Sequence, residues 1–108
     1  MSAGERAAAA AQGAVGAKFR LHGRDAATGL DCVGLAALAM RAGGSGATVP
    51  SGYGLRGGDV ARVAAVVEAS MARCDGGRAG DLLLFGTGPG QLHLGVRTAA
   101  GFVHADAG

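Results

Sequence analysis

The sequence predicts an α+β domain in which helices come first and an antiparallel sheet follows. Three observations predict it. The first sixteen residues are dominated by Ala, the residue of highest helix propensity. A second run opens on Asp31 and carries Val33, Leu35, Leu38 and Met40. Residues 92–97 (LHLGVR) and 101–105 (GFVHA) alternate as half-buried strands do. Helices followed by strands, rather than alternating with them, is the α+β order. At 108 residues the chain is one domain, residues 1–108, able to bury a modest core.

The elements follow in order. Residues 4–16 read as a helix on Ala content. Residues 19–28 (FRLHGRDAAT) are polar and contain Gly, and read as a loop. Asp31 is an N-cap for a helix that runs to about Ala42 and is ended by GGSG at 43–46. Residues 47–58 read as a loop around Pro50 and Tyr53. Asp59 then caps a third helix, with Val60, Val63, Ala64 and Val67 at helical spacing. Leu82–Phe85 is a short apolar run, read as a buried strand. GTGPGQ is a turn cluster leading into the two alternating strands.

Bulk properties exclude several function classes. Ten basic against eight acidic residues, net +2, with no Lys/Arg block, argues against a nucleic-acid binder. No stretch approaches the roughly 18 consecutive apolar residues of a membrane helix. Glu5 interrupts the Ala-rich start, which lacks the basic and Leu-rich parts of a secretory leader. Two cysteines, Cys32 and Cys74, without CxxC spacing make neither a disulfide scaffold nor a zinc ribbon.

Cys32 falls in the first turn of the second predicted helix. Unpaired backbone N–H groups and roughly half a positive charge sit at such an end. Both favour the thiolate, the nucleophilic form, while the neighbouring Asp31 opposes it. The bland alternative is a buried, inert thiol. His93 and His104 lie on the last two predicted strands. Any hairpin loop of even length puts both rings on one face of the sheet. One imidazole can then orient the other as a base, the nucleophile–base–orienter arrangement of cysteine hydrolases. His22 lies in the loop before the Cys32 helix, where it either lines a groove or is a polar loop residue. Cys74 precedes a DGG turn and reads as incidental. Cys32 with His22, His93 and His104 matches no common zinc spacing, so no metal is expected.

Three segments also carry a resemblance. GLDCVGL at 29–35 resembles the DCSGL nucleophile motif of the NlpC/p60 cell-wall peptidases. RAGDLLLF at 78–85 resembles their PGDLVFF-like strand, and HLGVRTAAGFVHA at 93–105 their histidine hairpin. The three stand in family order and span about residues 17–105. FRLHGRD at 19–25 and VPSGYGLRGGD at 49–59 are closest to the branch encoded with phage tails and gene transfer agents.

The resemblance implies a papain-like NlpC-type fold, with N-terminal helices packed on an antiparallel sheet. It implies Cys32 as nucleophile, His93 as base and His104 as orienter, and no cofactor. Phe19, His22 and Asp31 become the candidate substrate-binding positions. Val33 stands where Ser is common, and Phe19 where a Tyr is common, without its hydroxyl. The implied substrate is the peptide stem of peptidoglycan, cut commonly beside a diaminopimelate residue. Phage-tail-like proteins are the implied protein partners, with no nucleic acid or membrane. With no leader read, the expectation is cytoplasmic synthesis and delivery to the wall in a phage-like particle. Against the family pattern the domain is expected to be C-terminally incomplete, with the last strands of the sheet missing. Two alternatives stand beside this reading: a catalytically inactive wall-binding or tail-assembly module, and an amidase or acyltransferase of the same fold.

Overall fold

The computed structural model describes residues 2–20, 23–25, 27–44, 65, 76–88 and 91–105. Helix α1 spans Ala3–Gly13 and opens on a capping box. The Ser2 hydroxyl accepts from the Glu5 N–H, and the Glu5 carboxylate accepts from the Ser2 N–H. A short antiparallel hairpin follows, β1 (Arg24–Asp25) and β2 (Gly29–Leu30). Helix α2 covers Cys32–Ala42, with Asp31 as N-cap and Gly43 as C-cap. Strands β3 (Leu82–Gly88), β4 (Gln91–Thr98) and β5 (Gly101–His104) form an antiparallel sheet in the order β3-β4-β5. The α+β order read from the sequence therefore holds among the described residues.

Composition explains how the helices meet. The inner face of α1 is Ala7, Ala8 and Ala11, and Ala39 of α2 is fully buried against it. Methyl-sized side chains let the two helices pack closely. Arg6 ties the far end: its Nε donates to the Ala42 carbonyl at 3.1 Å, and its Nη2 to that of Gly43 at 3.3 Å. A cation on the last carbonyls of α2 complements the negative end of that helix. Both helices pack on β4, whose Leu94 and Val96 are 2% and 0% exposed. The core has two parts. Leu30, Leu35 and Val96 join the alanines of α1 and α2 in one; Cys32, Val33, Ala36 and Leu94 form the other.

Three sequence expectations need correction. Helix α1 ends three residues earlier than the predicted 16, because high Ala content marks a helix without marking its end. The segment 19–28 is not wholly loop. Phe19 makes an isolated parallel bridge to Leu30, and Arg24–Asp25 pairs with β2. Strand β3 continues past Phe85 to Gly88, with its register against β4 shifting between Gly86 and Gly88. Composition marks GTG as a turn, whereas cross-strand pairing draws it into the ladder. The predicted third helix from Asp59 and the loop around Pro50 and Tyr53 lie outside the described residues, Ala65 apart, which is helical. No described helix is long and apolar enough to cross a membrane.

Leu35 is 1% exposed where α1, α2 and β4 converge. Leu35→Ala should destabilise the domain by about 3 kcal/mol. Val15→Ala, at a position 62% exposed, should stay within about 0.5 kcal/mol. Urea midpoints of the two variants test this, and equal midpoints would refute the packing assigned here.

Candidate active site

The site begins with how α2 starts. Asp31 is fully buried in an extended conformation, and its Oδ1 accepts from the Gly34 N–H at 2.7 Å. Its own carbonyl accepts from the Leu35 N–H at 2.9 Å, the first bond of the helix. Cys32 is thereby fixed as the first helical residue. The hairpin loop presses on this turn. A Cβ added at Gly34 would stand 1.9 Å from the Gly23 carbonyl oxygen, so only glycine fits there. This is the physical content of the glycine in the DCVGL segment.

The histidines are placed by the β4–β5 hairpin. Thr98 pairs with Gly101 across a two-residue loop, and Gly95 pairs with His104. His93 lies two positions before Gly95, so it is the diagonal neighbour of His104 on the same face. Gly95 has no side chain to hold the two rings apart. His93 Nε2 and His104 Nδ1 meet at 3.0 Å, with ring centroids 5.1 Å apart and planes at 83°. The same-face expectation is met, by a loop of even length. One nitrogen donates and the other accepts, as the tautomers decide. If His93 Nε2 carries the hydrogen, its Nδ1 is left as an acceptor, the form a general base needs.

Phe102 was not singled out by sequence, yet its ring lies 5.5 Å from that of His104 at 38°. His104 is held between an imidazole and a phenyl ring. The signal was present in the i, i+2 spacing of Phe102 and His104, which puts both on one face of β5.

Cys32 is 6% exposed and packs against Leu94, the residue after His93. Burial pushes its thiol above the ordinary value. The Leu94 backbone N–H opposes that push; the Asp31 carboxylate adds to it; the N–H groups of Val33 and of Cys32 itself oppose it. The sequence expectation that the helix start would favour thiolate is therefore corrected. The N–H groups do act in that direction, but desolvation outweighs them. The structure brings His93 and His104 together, and Cys32 packs in one buried cluster with Leu94, the residue after His93.

The substrate candidates separate. Phe19 and His104 both line a cavity of about 300 Å³, walled by residues 14–19 and 103–105 with Leu30 and Leu35 as floor. Asp31 does not face that space. Its carboxylate is buried, and its Oδ1 caps the first turn of α2. His22 and Cys74 lie outside the described residues. Among the described residues no three His, Cys, Asp or Glu side chains are grouped to hold a metal ion.

Comparisons with protein families, with characterised proteins and with solved structures find no match to this chain.

The thiol makes a pH prediction. Folding raises its pKa, so the folded state keeps this proton to higher pH than the unfolded chain does. The associated stability is fully present below the unfolded thiol's pKa and is lost as pH rises through the folded one. Alkylation of Cys32, followed by mass spectrometry across pH, should show a midpoint above the ordinary thiol value of about 8.5. Asp31→Asn, which keeps a capping oxygen but no charge, should lower that midpoint. A wild-type midpoint at or below the ordinary value would sink the burial argument.

Proposed function

We propose that this domain is a thiol hydrolase of the NlpC/p60 type, with a papain-like arrangement, acting on the peptide stems of bacterial peptidoglycan. The observation that carries the proposal is the His93–His104 pair, hydrogen-bonded beside the strand residue that meets Cys32. A nucleophile at a helix start, a base on a strand and a second imidazole orienting the base are the parts such chemistry requires. The motifs at 29–35, 78–85 and 93–105 supply the substrate class by resemblance. A phage-like particle as carrier, with tail proteins as partners, comes from the same source.

The reaction has two halves. His93 Nδ1 takes the Cys32 proton as the sulfur attacks the scissile carbonyl. The S–C bond forms, the carbonyl π electrons move to oxygen, and the tetrahedral species collapses with loss of the amine. His93 returns the proton to that amine. Water, giving its proton to His93, then adds to the thioester; the S–C bond breaks as the acid is released, and the sulfur takes the proton back from His93. The cavity between Phe19 and His104 is the place for the peptide, open beside the pair that handles the proton. The raised thiol pKa fits a neutral resting site, in which proton transfer accompanies attack.

A second reading has its own support. The burial of Cys32 and the phenyl ring of Phe19 where a hydroxyl is common suit a catalytically inactive wall-binding or tail-assembly module. Release of new amine ends from purified peptidoglycan and from defined muropeptides separates the two. The wild-type chain should release them. Cys32→Ala should lower the rate by about a thousandfold or more, and His93→Ala by about a hundred- to ten-thousandfold. Wall binding that survives Cys32→Ala, with no amine ends from either protein, would decide for the module.

A further inference from the structure

His104 orients its partner in the pair, yet β5 leaves its own side chain exposed. Burial therefore does not fix its ring. The outer torsion of an imidazole is broad and roughly two-fold, so the strand backbone alone does not aim Nδ1. The aim matters, because the planes of His93 and His104 stand at 83°. A ring nitrogen bonds in the plane of its ring. A modest turn of His104 swings Nδ1 out of line with His93 Nε2, which lies 3.0 Å away.

Two contacts define the ring between them. The hydrogen bond selects the edge that faces His93, since a half-turn would bring the carbon Cδ2 to the place of Nδ1. A half-turn leaves the plane itself unchanged, and the plane is set from the other flank. Phe102 stands two residues earlier on the same face of β5, opposite Arg97 as His104 is opposite Gly95. Its ring centroid lies 5.5 Å from that of His104, with the rings tilted by 38°. That is within the range in which aromatic rings attract. Phe102 is 48% exposed, so it adds little to the core. The cavity beside the pair is walled by residues 14–19 and 103–105, with Leu30 and Leu35, and Phe102 is not one of its walls.

We infer that Phe102 is a positioning residue of the site, acting through His104 to hold His93 in the tautomer that accepts a proton. The inference rests on the hydrolase reading for what that base does, but the order of the two imidazoles belongs to the protein itself. With the phenyl ring in place, His104 Nδ1 stays in line as acceptor. The hydrogen then stays on His93 Nε2, and His93 Nδ1 keeps its lone pair. Without the phenyl ring the imidazole of His104 turns, and the bond is made for less of the time. His93 then spends part of its time with the hydrogen on Nδ1, where it cannot act as the base.

The test is a double-mutant cycle in the full chain, read by muropeptide hydrolysis. Phe102→Ala should lower kcat by about two- to tenfold, the rate equivalent of one aromatic pair, and leave KM in place. In a His104→Ala background the same substitution should cost nothing further, because the ring it positions is gone. Phe102→Tyr, which keeps the ring, should retain the wild-type kcat. An undiminished kcat in Phe102→Ala overturns the assignment. So does an equal loss with and without His104, which would assign Phe102 to the fold or to the substrate.

A chain that cleaves nothing still answers the question. With both imidazoles neutral, the two ring ¹⁵N resonances of His93 lie far apart when one tautomer is fixed and draw together when two interchange. They should lie far apart in the wild type and draw together in Phe102→Ala. Averaged resonances in the wild type, or resonances that Phe102→Ala leaves unmoved, overturn the assignment. Phe102→Leu, which keeps apolar bulk without a ring, takes the place of an alanine variant that does not fold, with the same outcomes. The expected resonances in a wild type that releases no amine ends support the role of Phe102 and reject the hydrolase.

Discussion

The buried carboxylate of Asp31 is the constraint on which the site depends. By taking the Gly34 N–H it decides where α2 begins, and so decides that Cys32 is the first helical residue. An N-cap of this kind is worth about 1 kcal/mol in ordinary stability terms. Its larger consequence here is positional. If the helix began one residue later, Cys32 would stand outside its first turn. The Gly23 carbonyl pressed on Gly34 closes the same turn from the other side, where any side chain would collide. Cap and contact fix one geometry between them, and two core glycines are the cost of it.

The same carboxylate sets an electrostatic conflict. It fixes Cys32 where amide dipoles favour an anion, and it places a negative charge beside that anion. Burial decides the resting outcome in favour of the neutral thiol. Under the proposed function this conflict has a use. A thiol that stays protonated until a base engages it is protected from oxidation and adventitious alkylation, since both need the thiolate. The backbone donors then contribute when the charge develops, which is when stabilisation lowers a barrier.

What sequence made legible follows the reach of each interaction. Helix α2 was readable at both ends because its cap, Asp31, and its stop, Gly43, are local signals. The His93–His104 pairing was readable because strand alternation and an even loop are matters of counting. The Phe19–Leu30 bridge was not, since it joins residues eleven apart through backbone groups that carry no side-chain signature. The continuation of β3 through Gly86–Gly88 was hidden because glycine favours turns in isolation, while the partner strand decided otherwise. Asp31 was readable as a cap, but the same residue was also set among substrate contacts. Only its burial separates the two roles. The sign of the thiol shift was the least legible point. It depends on how much water reaches one sulfur, which no local pattern encodes.

The extent of β5 ties these strands of argument together. His104 must pair with Gly95 for its ring to lie diagonal to His93. The two-residue loop between Thr98 and Gly101 fixes that pairing, since a register slip of one residue would turn the His104 ring to the opposite face. A strand one residue shorter would remove His104 from the ladder and leave the His93 ring without its orienter. A four-residue strand is thus just long enough to build the imidazole pair.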